Sequence, residues 1–339
     1  MLVGELALVA QIRNRAASAA SGEVRLGIGD DCALIRPRPG EEFAITTDLS
    51  IAGRHFQLDW HPPESVGHRV LARGLSDLAA MGVRPVAAFL SLGLPRELTT
   101  AVGPRPTWFQ RFFDGLLALA GTYKTSLAGG DLAESPLAVA DIVLVGAVPR
   151  GRALLRSGAV PGHALYVTGA LGGAAAGLRR LQALAAGRQH SSRPPAIPAR
   201  IAPLLAPHLY PQPRIAQGLW LQRRGLASAA LDLSDGLSTD LARLCRESAV
   251  AAEVDLACLP IHPAATKAQA LHGGEDYELL FTAPPAARIP RSIAGVPVTR
   301  IGRILAPRRG QPIVTLLTQQ GREPLPPHGW EHFLAQDEL

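Results

Sequence analysis

The sequence predicts a mixed α/β (α+β) fold in two domains, on three observations. Apolar stretches rich in β-branched residues alternate with segments whose apolar residues recur at helical spacing. A break rich in Gly, Arg and Pro falls at 149–162, and a strand-then-helix pattern starts afresh after it. The length, 339 residues, suits two domains of about 150 residues each. The expected division is 1–150 and 151–339. Strands and helices mixed in both sections imply an α/β or α+β unit in each.

In the first section, "FAITTDLSI" (43–51) and "VAAFLSLGLP" (86–95) read as strands. Between them, "PESVGHRVLARGLSDLAAMG" (63–82) carries apolar residues at 66, 70, 71, 75 and 78, a helical spacing. Pro62 and Pro63 mark its start and Gly82 its stop. A helix near 107–121, a loop "AGGDLAES" (128–135) and a strand "ADIVLVGAVP" (140–149) follow. The second section opens with a strand, "ALYVTG" (164–169), and a helix, "GGAAAGLRRLQALAAG" (172–187). A Pro-, Arg-, Ser- and His-rich stretch at 187–213 reads as an exposed, mobile connection. Then come a strand "AALDLSD" (229–235), a helix "GLSTDLARLCRES" (236–248), and strands at 252–260, 277–285 and 298–304. "HGWEHFL" (328–334) reads as one helical turn or a docked tail.

Composition excludes several classes of function. Hydrophobic residues make up 47%, yet no apolar run approaches the roughly 20 residues of a membrane span. The N-terminal stretch carries Glu5 early and lacks a basic start with a cleavage site, so no signal peptide is expected. Cys32, Cys245 and Cys258 have neither metal-ligand nor disulfide-framework spacing, which fits a cytoplasmic protein with reduced thiols. Net charge is +6, from 34 basic and 28 acidic residues, and only Lys124 and Lys267 are lysines. Any anion held by a side chain is therefore held mainly by arginine, which favours bidentate contacts. The arginines are scattered and aromatics are 5%, so no nucleic-acid partner is expected.

The carboxylates recur beside Gly, Ser or Thr. They stand in "GDDC" (Asp30, Asp31), "TTDLS" (Asp48), "LSDLAAMG" (Asp77), "AGGDLAES" (Asp131), "LDLSDG" (Asp232, Asp235) and "HGGEDYEL" (Glu275, Asp276). Each motif alone reads as a turn or helix cap, and Asp77 alone as a solvated helix face. As a set, acids from four loops and one helix read as ligands for Mg²⁺. That ion takes one or two carboxylates and completes its shell with water and phosphate.

No G-x-x-x-x-G-K-[ST] exists, and "GIGDDC" fails the dinucleotide pattern at its last glycine. "LYVTGALGGAAAGL" has two readings: an anion-receiving helix start, or close helix–strand packing through small residues. Arg156 is a candidate phosphate clamp or a surface arginine. His55, in "AGRHF" close after Asp48, is a candidate binding group or a structural histidine. No G-x-S-x-G, H-E-x-x-H or Cys–His motif is present, so no catalytic side-chain nucleophile is expected.

Taken in order, "GIGDDCAL", "TTDLSIAGRHF", "LSDLAAMGVRP", "GGD", "RSGAVPG", "YVTGALGGAAAGL", "LDLSDGLSTDL", "GGEDYELLFT" and "GWEHF" resemble the thiamine-monophosphate kinase family. That family belongs to the superfamily of aminoimidazole ribonucleotide synthetase and selenophosphate synthetase. The resemblance implies an N-terminal domain that binds ATP and Mg²⁺ and dimerises through its sheet. It implies a C-terminal α+β domain that completes the active site, and phosphorylation of thiamine monophosphate to thiamine diphosphate with ATP as co-substrate.

It further implies that Asp30, Thr46, Thr47, Asp48, Asp77, Asp131, Asp232 and Asp235 bind several Mg²⁺ ions. Phe113, Gly130, Asp131, Arg156 and Ser234 match ATP positions; His55, Glu275 and Trp330 match substrate positions. Asp31 and Asp276 lie beside matched acids without a direct assignment. His163 departs from the usual aspartate, the residues after Asp48 depart from the common form, and 187–213 is longer than expected.

A phosphate-monoester acceptor is already anionic, so direct in-line transfer without a phosphoenzyme is expected. Two alternatives differ. A purine-pathway or selenophosphate-type synthetase would use another acceptor, and selenide would call for a reactive N-terminal Cys in a Gly-rich loop, which is absent. A non-catalytic nucleotide-binding regulator would have lost several acids, which this chain keeps.

Overall fold

Alternation along a single edge strand gives the first sheet its two unlike faces. A computed structural model describes residues 4–16, 22–186, 194, 196–331 and 333. Its first elements are α1 (Glu5–Ala16), β1 (Val24–Leu26), β2 (Leu34–Ile35), β3 (Glu41–Ile51), α2 (Pro63–Ala80) and β4 (Arg84–Leu94). They are followed by α3 (Trp108–Thr122), β5 (Ser126–Glu134) and β6 (Val139–Pro149). The sheet order is β3-β6-β4-β5, antiparallel except for the parallel pair β4 and β5.

On β3, Ala44, Thr46, Asp48 and Ser50 turn to the more buried face, while Phe43, Ile45, Thr47 and Leu49 turn outward. Helix α2 covers the inner face. It starts at Pro63, where a missing N–H costs nothing, and packs against α3 with almost no space between backbones. A Cβ at Gly67 would lie 1.9 Å from the Phe112 carbonyl oxygen, and one at Gly115 1.8 Å from that of Glu64. Phe109, Phe112, Phe113, Leu71, Leu75, Leu116, Ile142 and Leu144 fill the interior.

The later elements are β7 (Ala164–Thr168), α4 (Gly173–Ala186), α5 (Ala202–Leu209), α6 (Ile215–Arg224), β8 (Ala229–Asp232), α7 (Leu237–Glu247) and β9 (Ala251–Asp255). They continue with α8 (Lys267–His272), β10 (Leu279–Ala283), β11 (Ser292–Ile293), β12 (Val296–Leu305), β13 (Val314–Thr318) and β14 (Gly321–Pro324). The second sheet runs β14-β13-β9-β12-β7-β10-β8, with β11 on β12. Its core includes Leu165, Val167, Leu231, Leu241, Val254 and Ile304. The chain divides into two compact units. One comprises Met1–Ala153, Arg180–Ala202 and Leu209–Ile215; the other comprises Leu154–Arg179, Pro203–His208 and Ala216–Leu339. Among the described residues no helix is long and apolar enough to cross a membrane.

Two expectations are corrected. "AGGDLAES" is strand β5, not a loop. Its glycines allow tight parallel pairing: Gly130 has φ 144°, and a Cβ there would lie 1.9 Å from the Leu90 carbonyl oxygen. The 187–213 connection is not exposed throughout. Residues 187–193 and 195 lie outside the described residues, but 202–209 form α5, and Leu205, Leu209, Pro211 and Pro213 are buried. The Pro211 carbonyl bonds His68 Nε2 at 2.7 Å, and the Pro213 carbonyl accepts the Tyr123 hydroxyl at 2.8 Å.

Candidate active site

In the first unit the acids meet where α2 crosses β3. The Thr46 hydroxyl donates to Asp77 Oδ2. One helical turn earlier on α2, Arg73 reaches Asp48 Oδ1 at 3.3 Å. Burial pushes the Asp48 carboxyl up to about 6; Arg73 opposes that shift, while Asp77 and Asp141 add to it.

The outward Thr47 donates to Asp141 Oδ1 at 2.9 Å. Strand alternation thus separates Thr47 from its neighbours Thr46 and Asp48. One row across the four strands reads Leu49, Asp141, Ser91, Asp131. Asp131 and Asp141 stand two strands apart, about 10 Å, too far to share one small cation directly. Asp141 was not expected, although an acid inside the apolar run "VADIVLVGAV" is itself an anomaly.

Asp30 and Asp31 are exposed, and Asp30 Oδ1 accepts the Asp31 N–H at 2.9 Å. Their loop runs beside β5: a Cβ at Gly27 would lie 3.7 Å from the Ala128 carbonyl oxygen. Among the described residues no three His, Cys, Asp or Glu side chains close up as a metal cage. The donors that do meet, Thr46, Asp48 and Asp77, are all oxygens. That chemistry fits Mg²⁺, which needs few carboxylates and leaves positions for water and phosphate.

His55 and Phe113 differ. His55 Nδ1 accepts the Ile51 N–H at 3.1 Å, so a neutral ring carries its proton on Nε2. Its carbonyl accepts from buried Arg69 at 3.2 Å, and Arg69 also bonds His61 Nε2 at 3.1 Å. Phe113 is 1% exposed and packs on Phe109 and Phe112. The ring belongs to the core and presents almost no surface.

In the second unit three distant motifs converge on one loop. The Ser234 carbonyl accepts the Glu275 N–H at 2.8 Å, and the Asp235 carbonyl accepts the Trp330 N–H at 3.0 Å. Glu275 and Tyr277 hold left-handed backbone, with φ of 67° and 51°, a strained arrangement for side-chain-bearing residues. His208 Nδ1 lies 3.3 Å from Glu275 Oε2. Asp232 ends β8 and is buried. Arg156 is exposed, and its carbonyl accepts the Ser248 hydroxyl at 2.8 Å.

Several acids here serve internal bonds. Asp235 pairs with Arg243. Asp240, unremarked in the sequence, is 1% exposed and accepts the N–H groups of Asp235 and Gly236 at 2.9 and 3.1 Å and Arg243 at 2.9 Å. Burial, then the charge of Asp235, push its carboxyl up to about 7. Asp276 resolves the two readings of the α4 start. Its carboxylate accepts the N–H groups of Gly172 at 2.6 Å and Ala174 at 3.0 Å. That helix end does take an anion, and the anion is the chain's own side chain. The glycines also serve packing: a Cβ at Gly172 would lie 2.8 Å from both Ala265 Cβ and the Ala270 nitrogen.

The chain matches known proteins along most of its length. Residues 29–148 match the AIR synthase related protein N-terminal domain, and 160–315 match the corresponding C-terminal domain. The thiamine-monophosphate kinase of Escherichia coli (strain K12) is 42% identical over 323 residues, spanning 91% of this chain and 93% of that protein. The crystal structure of thiamine-monophosphate kinase from Stenotrophomonas maltophilia K279a superposes with a TM-score of 0.77 at 37% identity, covering 93% of this chain and 97% of that one. A solved complex, AaThiL with AMPPCP and TMP, superposes with a TM-score of 0.73 at 29% identity and covers 97% of both chains. The chain belongs to the thiamine-monophosphate kinase family.

Proposed function

We propose that the protein transfers the terminal phosphoryl group of ATP to thiamine monophosphate, giving thiamine diphosphate and ADP. The observation that carries this reading is the match along nearly the whole chain to thiamine-monophosphate kinases, 42% identical in the Escherichia coli case. The AaThiL complex with AMPPCP and TMP, matched over 97% of both chains, supports the pair of substrates.

Mg²⁺ is proposed at Asp30, Thr46, Thr47, Asp48, Asp77, Asp131, Asp232 and Asp235, where it would supply charge neutralisation and alignment of the phosphates. The protein's own groups do the rest. Arg73 offsets the charge of Asp48, to which Asp77 and Asp141 add, until ligands arrive. Gly130, Asp131, Arg156 and Ser234 are proposed to bind ATP, Arg156 as a bidentate phosphate donor. His55 is proposed to offer an Nε2 proton to the acceptor; Glu275 and Trp330 are proposed to complete its site, the indole against a ring. The acceptor oxygen is anionic near neutral pH, so no general base is assigned.

We also propose a cytoplasmic homodimer. The outward stripe of Phe43, Ile45 and Leu49, at 40%, 69% and 47% exposure, supports pairing through that sheet face. Ile45→Asp should shift the mass in light scattering toward monomer; an unchanged mass would remove this interface.

The decisive experiment incubates the purified protein with ATP, Mg²⁺ and thiamine monophosphate. Equimolar ADP and thiamine diphosphate are expected. ADP formed only with another acceptor, such as an amide or selenide, would replace this reading with a synthetase. Rapid quenching with labelled ATP tests in-line transfer: a phosphoprotein competent to form product would refute it.

A further inference from the structure

Three consecutive backbone N–H groups near the end of the chain are captured by one short segment. His328 N–H donates to Ser238 Oγ at 3.3 Å, Gly329 N–H to Thr239 Oγ1 at 2.9 Å, and Trp330 N–H to the Asp235 carbonyl at 3.0 Å. Residues 328–330 belong to no helix or strand, so these bonds stand in for a ladder. The acceptors lie at the start of α7, where Ser238 and Thr239 are buried.

The dock is rigid on both sides. Ser238 Oγ also bonds His272 Nδ1 at 2.9 Å, and the His272 ring meets that of His328 edge-on with centroids 5.6 Å apart. Asp240 pins the other end of the segment through the N–H groups of Asp235 and Gly236. Contact between the strands of chain is close enough to exclude a side chain. A Cβ at Gly329 would lie 1.9 Å from the Asp235 carbonyl oxygen and 2.6 Å from Thr239 Oγ1. A slip of one residue would press a side chain into that contact, so the register of the tail is fixed.

All three bonds use the backbone of the tail. Together they fix where the backbone of Trp330 stands. Asp235 is shared as well: its peptide carbonyl holds the tail, and its carboxylate is one of the proposed metal ligands.

We infer that the α7 start is a dock for the tail and that Thr239, at its centre, is a positioning residue for Trp330 and hence for recognition of thiamine monophosphate. This rests on the proposed contact between Trp330 and that substrate. Acceptor recognition and the metal-bearing loop are then joined through the single residue Asp235.

The test compares Thr239→Val, Thr239→Ser, Gly329→Ala and Trp330→Ala in the full chain, with steady-state kinetics and calorimetric binding of thiamine monophosphate in the absence of ATP. Val keeps the shape of Thr and removes the hydroxyl acceptor. Thr239→Val is expected to raise both KM and Kd for thiamine monophosphate on the order of tenfold. The KM for ATP and kcat should stay within about twofold. Thr239→Ser should behave as the parent protein, because it keeps the acceptor oxygen. Gly329→Ala should exceed Thr239→Val, because the added methyl forces the tail off its seat. If Trp330→Ala weakens the acceptor and Thr239→Val does not, the dock is wrong and the Trp330 contact stands. If Trp330→Ala leaves the acceptor unchanged, the Trp330 contact falls and the inference with it. Equal loss for ATP and acceptor, unrescued by Ser, would mark Thr239 as merely structural and overturn the proposal.

Discussion

Aspartate serves opposite ends in the two units. In the first, burial holds Asp48 at about 6, Arg73 is its cation, and the charges of Asp77 and Asp141 add to the shift. In the second, Asp240 and Asp276 are each matched to named N–H donors. Acids held by side-chain hydroxyls and one guanidinium, and near enough to raise a neighbour's carboxyl, are disposed to receive cations. An acid already saturated by backbone donors is architecture. The same residue type beside glycine or serine therefore means different things, and only its donors tell which.

That contrast can be broken by exchanging the expected effects. Asp48→Ala should lower turnover about a thousandfold or more, since metal-assisted transfer depends on several kcal/mol of charge stabilisation. Its melting temperature should change little, because relief of the buried carboxylate offsets the loss of its Arg73 pair; near-normal turnover would refute the metal role. Asp240→Ala should do the reverse. Leaving two N–H groups and a guanidinium without their buried partner should cost about 3 kcal/mol of stability in denaturant unfolding. A loss of activity with full stability would move Asp240 into the first class.

Smaller effects sharpen the same comparison. Arg156→Ala should raise the KM for ATP about tenfold while sparing thiamine monophosphate; a main effect on the acceptor would reassign it. Asp276→Asn tests the pH side. Burial holds the Asp276 carboxyl at about 7 in the fold, above its ordinary value. The folded state therefore binds a proton that the unfolded chain has released. Stability from this group is full below about pH 4 and is lost as pH rises through about 7. The Asn variant should be less stable overall, yet its melting temperature should fall less across that interval. A parallel pH profile in parent and variant would show that Asp276 does not titrate there.

Much of the frame was legible from periodicity. The apolar spacing in 63–82 yields α2, and 43–51 reads as the strand that β3 is, although the placing of Thr46 and Asp48 on one face comes from the structure. What misled was composition without partners. Glycines in "AGGDLAES" suggested a loop, whereas they permit a neighbouring backbone to approach. Prolines in 187–213 suggested exposure, yet Pro211 and Pro213 are anchored by His68 and Tyr123 from remote elements. The uses of Asp141, Asp240 and Asp276 depend on bonds to residues brought close by folding. Asp276, for instance, caps a helix more than a hundred positions earlier in the chain. Phe113 sits in a plainly core-forming "WFQRFF" helix, so its burial was legible from the spacing of its aromatic rings.

Gly130 and Asp131 are adjacent, yet they tolerate change on different grounds. At 130 the backbone lies against the Leu90 carbonyl with φ at 144°, whereas the side chain at 131 is exposed. In a library of every single replacement, scored once for soluble yield and once for turnover, codon 130 would go dark in both screens and codon 131 only in the second. Neighbouring letters would thus record two separate selections, one for the existence of the protein and one for its use.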